Sequence, residues 1–83
     1  SSSTTYRGQQ GYLGINYQPT TSGDALVKGV LWASPAERAG IMEGDCLIAI
    51  DGSRINAFSP DQSLVAGKAV GQAVTVTFER GGQ

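Results

Sequence analysis

The stretch Ser34-Pro35-Ala36-Glu37-Arg38-Ala39-Gly40-Ile41-Met42-Glu43-Gly44-Asp45-Cys46-Leu47-Ile48-Ala49-Ile50-Asp51-Gly52 constrains the fold more than any other part of this chain. Ser34 suits a helix N-cap, Pro35 the first helical position, and Glu37 stands three residues after the cap. Gly40 has the freedom to enter the left-handed region and end the helix. A very short helix over 35–39 is therefore expected. Gly44-Asp45 then makes a turn, and Cys46-Leu47-Ile48-Ala49-Ile50 reads as a short apolar strand before an Asp51-Gly52 turn.

Strands are expected on both sides of this block. Residues 12–17 place Leu13, Ile15 and Tyr17 on one face, with Tyr12, Gly14 and Asn16 on the other, as in a half-buried strand. Pro19 to Asp24 forms a loop with Ser22-Gly23-Asp24 at its tip. Residues 25–32 make a second strand, in which Gly29 marks a bulge or a close approach. Arg54-Ile55-Asn56 suggests a brief strand. Ser59-Pro60-Asp61 repeats the helix-start signal, predicting a helix over 60–67 with Leu64 and Val65 as apolar contacts. In 73–79 alternation is strict: Val74, Val76 and Phe78 inward, Thr75, Thr77 and Glu79 outward. The fold class is α+β and mainly β: a small, partly open five- to six-stranded barrel flanked by two helices.

Eighty-three residues bound the chain to one small domain with a modest core. Net charge is -1 and no basic block occurs, which argues against a nucleic-acid partner. No apolar run reaches membrane-span length, so membrane contact by this segment is not expected. Residues 1–9 are polar, with Ser1-Ser2-Ser3-Thr4-Thr5 at the start, and read as a flexible linker segment. Cys46, alone, reads as a small buried hydrophobe. The absence of histidine removes Ser-His-Asp and Cys-His nucleophile pairs and histidine zinc sites. Turn formation accounts for Asp45 and Asp51, helix capping and surface placement for Glu37 and Glu43. Arg54 and Lys68 read as solvated charges, and Trp32 as a rim residue half covering the barrel end. No catalytic residue, metal site or cofactor is implied.

Three blocks, in order, resemble a known family. Gly11-Tyr12-Leu13-Gly14-Ile15 is similar to the carboxylate-binding loop that opens PDZ domains. Ser34 to Gly52 resembles the helix-turn-strand core of that family. Ala69-Val70-Gly71-Gln72, then Val74 to Arg80 and Gly81, resembles the last helix-to-strand turn and the arginine-glycine ending of bacterial, protease-associated members. The resemblance covers residues 10–83, the expected PDZ domain. In such bacterial members a further strand follows the arginine-glycine turn. Either that strand belongs to chain beyond Gln83, or Tyr6 and its neighbours supply it.

The resemblance implies a non-catalytic, monomeric peptide-binding module attached to a protease, as in HtrA-type serine proteases of the bacterial periplasm or cell envelope. Its ligands would be peptide or protein C-termini with an apolar last residue, or exposed apolar segments of unfolded protein substrates. Gly11 and Gly14 allow successive amides, best those of Leu13, Gly14 and Ile15, to face one way and form an anion nest. Leu13 and Ile15 offer hydrocarbon to the last ligand residue. Asn16-Tyr17-Gln18 offers an edge to which a peptide adds as a strand. The family's second groove wall implies Gln62, Leu64 and Val65. The implied peptide site is thus Tyr12, Leu13, Gly14, Ile15, Asn16, Tyr17, Gln62, Leu64 and Val65. The alternative is a scaffolding domain with a closed groove, packed against a parent aminopeptidase or secretion-system protein.

Overall fold

The last strand organises the sheet because its alternation gives it a wholly apolar inner face. In the computed structural model, which describes residues 1–8, 13–58 and 71–82, Val74 and Val76 of this strand are fully buried and Phe78 nearly so. The strands in chain order are β1 (Ser2–Arg7), β2 (Ile15–Pro19), β3 (Ala25–Val30), β4 (Cys46–Ile50), β5 (Ser53–Arg54) and β6 (Ala73–Glu79). They form one sheet in the order β1-β6-β4-β3-β2, with β5 paired to β4. Every pairing is antiparallel. The expected mainly β, partly open architecture is what the chain adopts.

The one helix among the described residues, α1 (Pro35–Arg38), follows its sequence signals closely. Ser34 is the N-cap, and its Oγ accepts from the Glu37 amide at 3.2 Å. Gly40, at φ 86°, leads the chain out through the left-handed region. The predicted second helix, over 60–67, lies outside the described residues.

Several boundaries move for identifiable reasons. The strand expected from residue 12 begins at Ile15, because the Leu13 and Gly14 carbonyls bond to Ala36 and Leu31 rather than to a strand. The next strand stops at Val30 because Leu31 to Ser34 forms a turn, closed by a Ser34 amide to Leu31 carbonyl bond at 3.3 Å. Gly29 sits beside a bulge: Asn16 pairs with Gly29 and Tyr17 with Val27, so Lys28 is skipped. Asp51 (φ 51°) and Gly52 (φ 82°) make a left-handed two-residue hairpin between β4 and β5.

The polar N-terminal segment is not a free linker. Ser2 to Arg7 pair with Phe78 to Ala73 across β6. The pairing continues through a Gly8 amide to Gln72 carbonyl bond at 2.8 Å and a Gly71 amide to Gly8 carbonyl bond at 2.9 Å. Thr4 Oγ1 also donates to the Ala39 carbonyl at 2.7 Å, linking β1 to the end of α1. Of the two alternatives at the outer flank of β6, the strand carrying Tyr6 is therefore the one present.

Leu47, Val27, Val74 and Val76 form the centre of the core, joined by Tyr6, Leu13, Ile41, Ile50, Ile55 and Phe78. Full burial of each such aliphatic side chain contributes about 1.5–3 kcal/mol. Trp32 does not cover the barrel end: it is 87% exposed. Cys46 is half-buried, and burial first, then the charges of Asp24 and Glu79, push its thiol pKa up and keep it protonated. Arg54 is largely exposed but pairs with Asp24 at 2.9 Å.

Asp45 does more than shape a turn. Its residue is 1% exposed, and a buried carboxylate needs compensation. Arg80 supplies it with two bonds, Nε to Oδ1 at 2.8 Å and Nη2 to Oδ2 at 2.7 Å. The Met42 amide adds a third at 2.9 Å. The Arg80 hydrogen bonds hold the Asp45 carboxyl below the usual carboxylate range, against burial, with help from Met42 and the Arg80 charge. A depressed folded-state pKa contributes stability that is complete above the unfolded value, about pH 4, and lost as pH falls through the folded one. Asp45→Asn is expected to cost about 1–3 kcal/mol at neutral pH, because Arg80 stays partly solvated. Denaturant unfolding should show a smaller loss of stability below about pH 4 in this variant than in the wild type.

Tyr6 presents the opposite case. Its hydroxyl is buried and makes no hydrogen bond among the described residues. Burial first, then the charge of Asp51, push its pKa up to about 12. The raised value means stability is complete below the unfolded value of about 10 and falls as pH rises toward the folded one. An absorbance titration should find a tyrosine ionising near pH 12, and Tyr6→Phe should remove it. Tyr6→Phe removes an unsatisfied hydroxyl, so its stability at neutral pH should equal or exceed the wild type's.

Candidate peptide-binding edge

Strand β2 ends the sheet order, with β3 as its neighbour on one side. Along it, Asn16 and Gln18 are exposed, while Ile15, Tyr17 and Pro19 are half-buried. Ile15 and Tyr17 lie against the core. Among the described strands, none pairs with the other side of β2, and a second chain can add to an edge of this kind.

The approach to this strand has a defined geometry. Gly14 is buried at φ 88°, a conformation natural only to glycine. The Leu13 carbonyl accepts from the Ala36 amide at 2.9 Å, and the Gly14 carbonyl from the Leu31 amide at 2.9 Å. No peptide bond in the described chain is cis. In a trans peptide plane the N–H points opposite to the C=O. Holding the Leu13 carbonyl toward α1 therefore turns the Gly14 N–H away from it. Holding the Gly14 carbonyl toward Leu31 turns the Ile15 N–H away from β3, toward the open edge. Consecutive amides freed from such anchored carbonyls are the kind of group that binds an anion.

The structure brings Leu13, Gly14, Ile15, Asn16 and Tyr17 together at one corner of the sheet. Leu13 is itself part of the core, at 6% exposure, so Ile15 is the more accessible of the two aliphatic side chains. Tyr12, Gln62, Leu64 and Val65 lie outside the described residues. Sequence reasoning missed Ala36 and Leu31, whose backbone amides orient the loop. A backbone donor leaves no mark in residue identity, and only the capped start of α1 hinted that an amide would be presented there.

Other features offer less chemistry. A shallow cavity of about 310 Å³ is lined by Met42, Glu43, Gly44, Asp45, Arg80 and Gly81. Its Asp45 carboxylate and Arg80 guanidinium are committed to each other. Among the described residues no three metal-ligating side chains converge. No helix among them is long and apolar enough to cross a membrane.

Comparison with known proteins shows the family to which this fold belongs. The family model of the PDZ domain matches residues 11–83. The chain belongs to the PDZ family, whose members are in general non-catalytic modules that bind peptides or proteins. A protein named as a zinc metalloprotease in Neisseria meningitidis is 39% identical over 75 residues, covering 89% of this chain and 16% of that protein. A protein named as a DegP-like periplasmic serine endoprotease in Bartonella henselae is 32% identical, covering 90% of this chain and 17% of its own length. The chain thus spans only a small part of the length of these relatives, and it is similar to a PDZ-sized region of proteins named as proteases. The crystal structure of MUPP1 PDZ4 shares the fold at 20% identity and a TM-score of 0.65, over 94% of this chain and 74% of that one.

Proposed function

We propose that this domain binds the free C-terminus of a peptide or protein, with the terminal carboxylate on the Gly14 and Ile15 amides and the peptide backbone added along β2. The observation that carries this reading is the pair of anchored carbonyls, Leu13 to Ala36 and Gly14 to Leu31, each at 2.9 Å. Opposite to these carbonyls stand the Gly14 and Ile15 amides, beside a strand that ends the sheet order, which supports an anion site next to an added strand. The family resemblance assigns Tyr12, Gln62, Leu64 and Val65 to ligand contact as well. Ile15, backed by Leu13, offers hydrocarbon to the last ligand residue. In the intact protein the module delivers unfolded or C-terminally exposed substrates to an attached protease, or regulates it. The relatives named as periplasmic proteases support a cell-envelope setting. Weak binding suffices there, because tethering raises local concentration.

A second reading has one observation in its favour. Trp32 is 87% exposed beside Leu31 at 47%, which suits a domain packed against its parent protein. In that case the groove is closed, and no free peptide competes for it.

Titration of the isolated domain with one peptide in free-acid and amidated form separates the two. The first reading expects binding of the free acid with the largest amide shifts at Leu13, Gly14 and Ile15. Absence of binding by either form favours the second, while equal binding of both forms, or shifts centred elsewhere with this loop silent, overturns the carboxylate site.

A peptide array varying only the last residue tests the pocket. Val or Leu should bind better than Asp or Lys, because a charge buried against Leu13 and Ile15 has no compensation. Affinity should be micromolar or weaker, about -8 kcal/mol or less favourable. Equal binding of terminal Asp and Val would remove the apolar pocket from the account.

A further inference from the structure

The turn that precedes α1 is held in a conformation its sequence does not favour. Ala33 sits at φ 61°, in the left-handed region where a residue with a Cβ is penalised. Such a conformation persists only when neighbours overdetermine it, and here they do. Glu37 Oε1 accepts from the Ala33 amide at 2.8 Å, and Arg38 Nη2 donates to the Ala33 carbonyl at 3.1 Å. The Ser34 amide donates to the Leu31 carbonyl at 3.3 Å. Glu37 also serves the cap, its own amide donating to Ser34 Oγ.

The same six-residue segment, 31–36, provides both donors that orient the loop. Leu31 lies at its start and Ala36 near its end, and each donates to one of the two consecutive loop carbonyls. Ser34, Pro35 and Ala36 are all buried, so the Ala36 end is fixed by packing. The Leu31 end is not: Leu31, Trp32 and Ala33 are exposed. It follows directly on the Ile15–Val30 pair that ends the β2–β3 ladder. Beyond that pair it is held by the hydrogen bonds that close the turn, and the Glu37 carboxylate bond at 2.8 Å is the shortest of them.

We propose that Glu37 is a positioning residue for peptide binding: its carboxylate latches the Ala33 turn, which holds the Leu31 amide on the Gly14 carbonyl and so aims the Ile15 N–H at the ligand carboxylate. This rests on the function proposed above. Glu37 touches no ligand in this account. It preorganises the loop, so that binding does not have to order it. The exposed Glu37 side chain contributes little to the core, which makes the role separable from folding.

The test compares wild type, Glu37→Ala and Glu37→Gln with one peptide ending in Val, as free acid and as amide, alongside thermal unfolding. The wild type should prefer the free acid. Glu37→Ala should weaken free-acid binding about three- to tenfold while the amide form changes little, so the ratio between them shrinks. Glu37→Gln keeps an acceptor oxygen and should recover most of that ratio. A lowered Tm with an unchanged free-acid to amide ratio would overturn the positioning role and leave the proposed site intact. Failure of Glu37→Gln to recover the ratio would equally overturn it, since charge rather than the latch would then be responsible. Absence of a free-acid preference in the wild type would overturn the carboxylate site itself, and this inference with it.

Discussion

The buried carboxylate of Asp45 is the constraint on which much of this small fold turns. A charge at 1% exposure in a domain of this size must be matched, and its partners come from separate parts of the chain. Arg80 reaches it from just beyond β6, and the same guanidinium donates to the Gly40 carbonyl at 2.8 Å. The Met42 amide closes the 42–45 turn on it. One side chain thus joins the exit of α1, the entry to β4 and the end of β6. Neighbouring bonds extend the arrangement, since the Val27 amide donates to the Asp45 carbonyl and the Gly44 amide to the Val27 carbonyl, each at 2.8 Å, next to the β3–β4 pairing.

From that junction a chain of contacts leads to the candidate site. The short helix is too brief to be stable alone and depends on its cap and its buried face. Pro35 and Ala36 supply that face, and Ile41 carries the chain back into the core. With α1 fixed, the Ala36 amide has a defined place and the Leu13 carbonyl follows it. The candidate site is therefore built from backbone groups set by packing and capping some twenty residues further along the chain.

The two sheet edges are treated differently. β1 flanks β6 with short polar residues, and Thr5 and Thr75 share a hydroxyl bond at 2.9 Å across the pair. β2 carries exposed amide side chains and ends at Pro19, which has no N–H to offer a ladder. Its pairing surface is short, and a short edge resists indiscriminate association while leaving room for a brief extended segment.

Elements governed by local physics were legible in the sequence. The Ser34 cap, Pro35 at the helix start, the Gly40 exit, the Asp51-Gly52 hairpin and the alternation of 73–79 each depend on residues close to one another in the chain. The loop around Gly14 was legible through its glycine and through family resemblance. Interactions that join distant residues were not. Ser2 to Arg7 lacks an apolar alternation, so nothing local distinguished a strand from a linker, and only the exposed flank of β6 gave it a partner. Asp45 and Arg80 stand 35 positions apart, and neither residue type names the other. Trp32 looked like a covering residue by its chemistry, yet the left-handed backbone at Ala33 belongs to a turn that leaves it in solvent. The sequence by itself determined the capped helix, the Asp51-Gly52 hairpin and the alternating strand 73–79, because capping, glycine conformations and side-chain alternation act over a few residues. Only the tertiary structure decided which strand flanks β6, where the buried charge finds its partner, and which way the loop amides face, because those depend on groups brought together by the closing of the sheet.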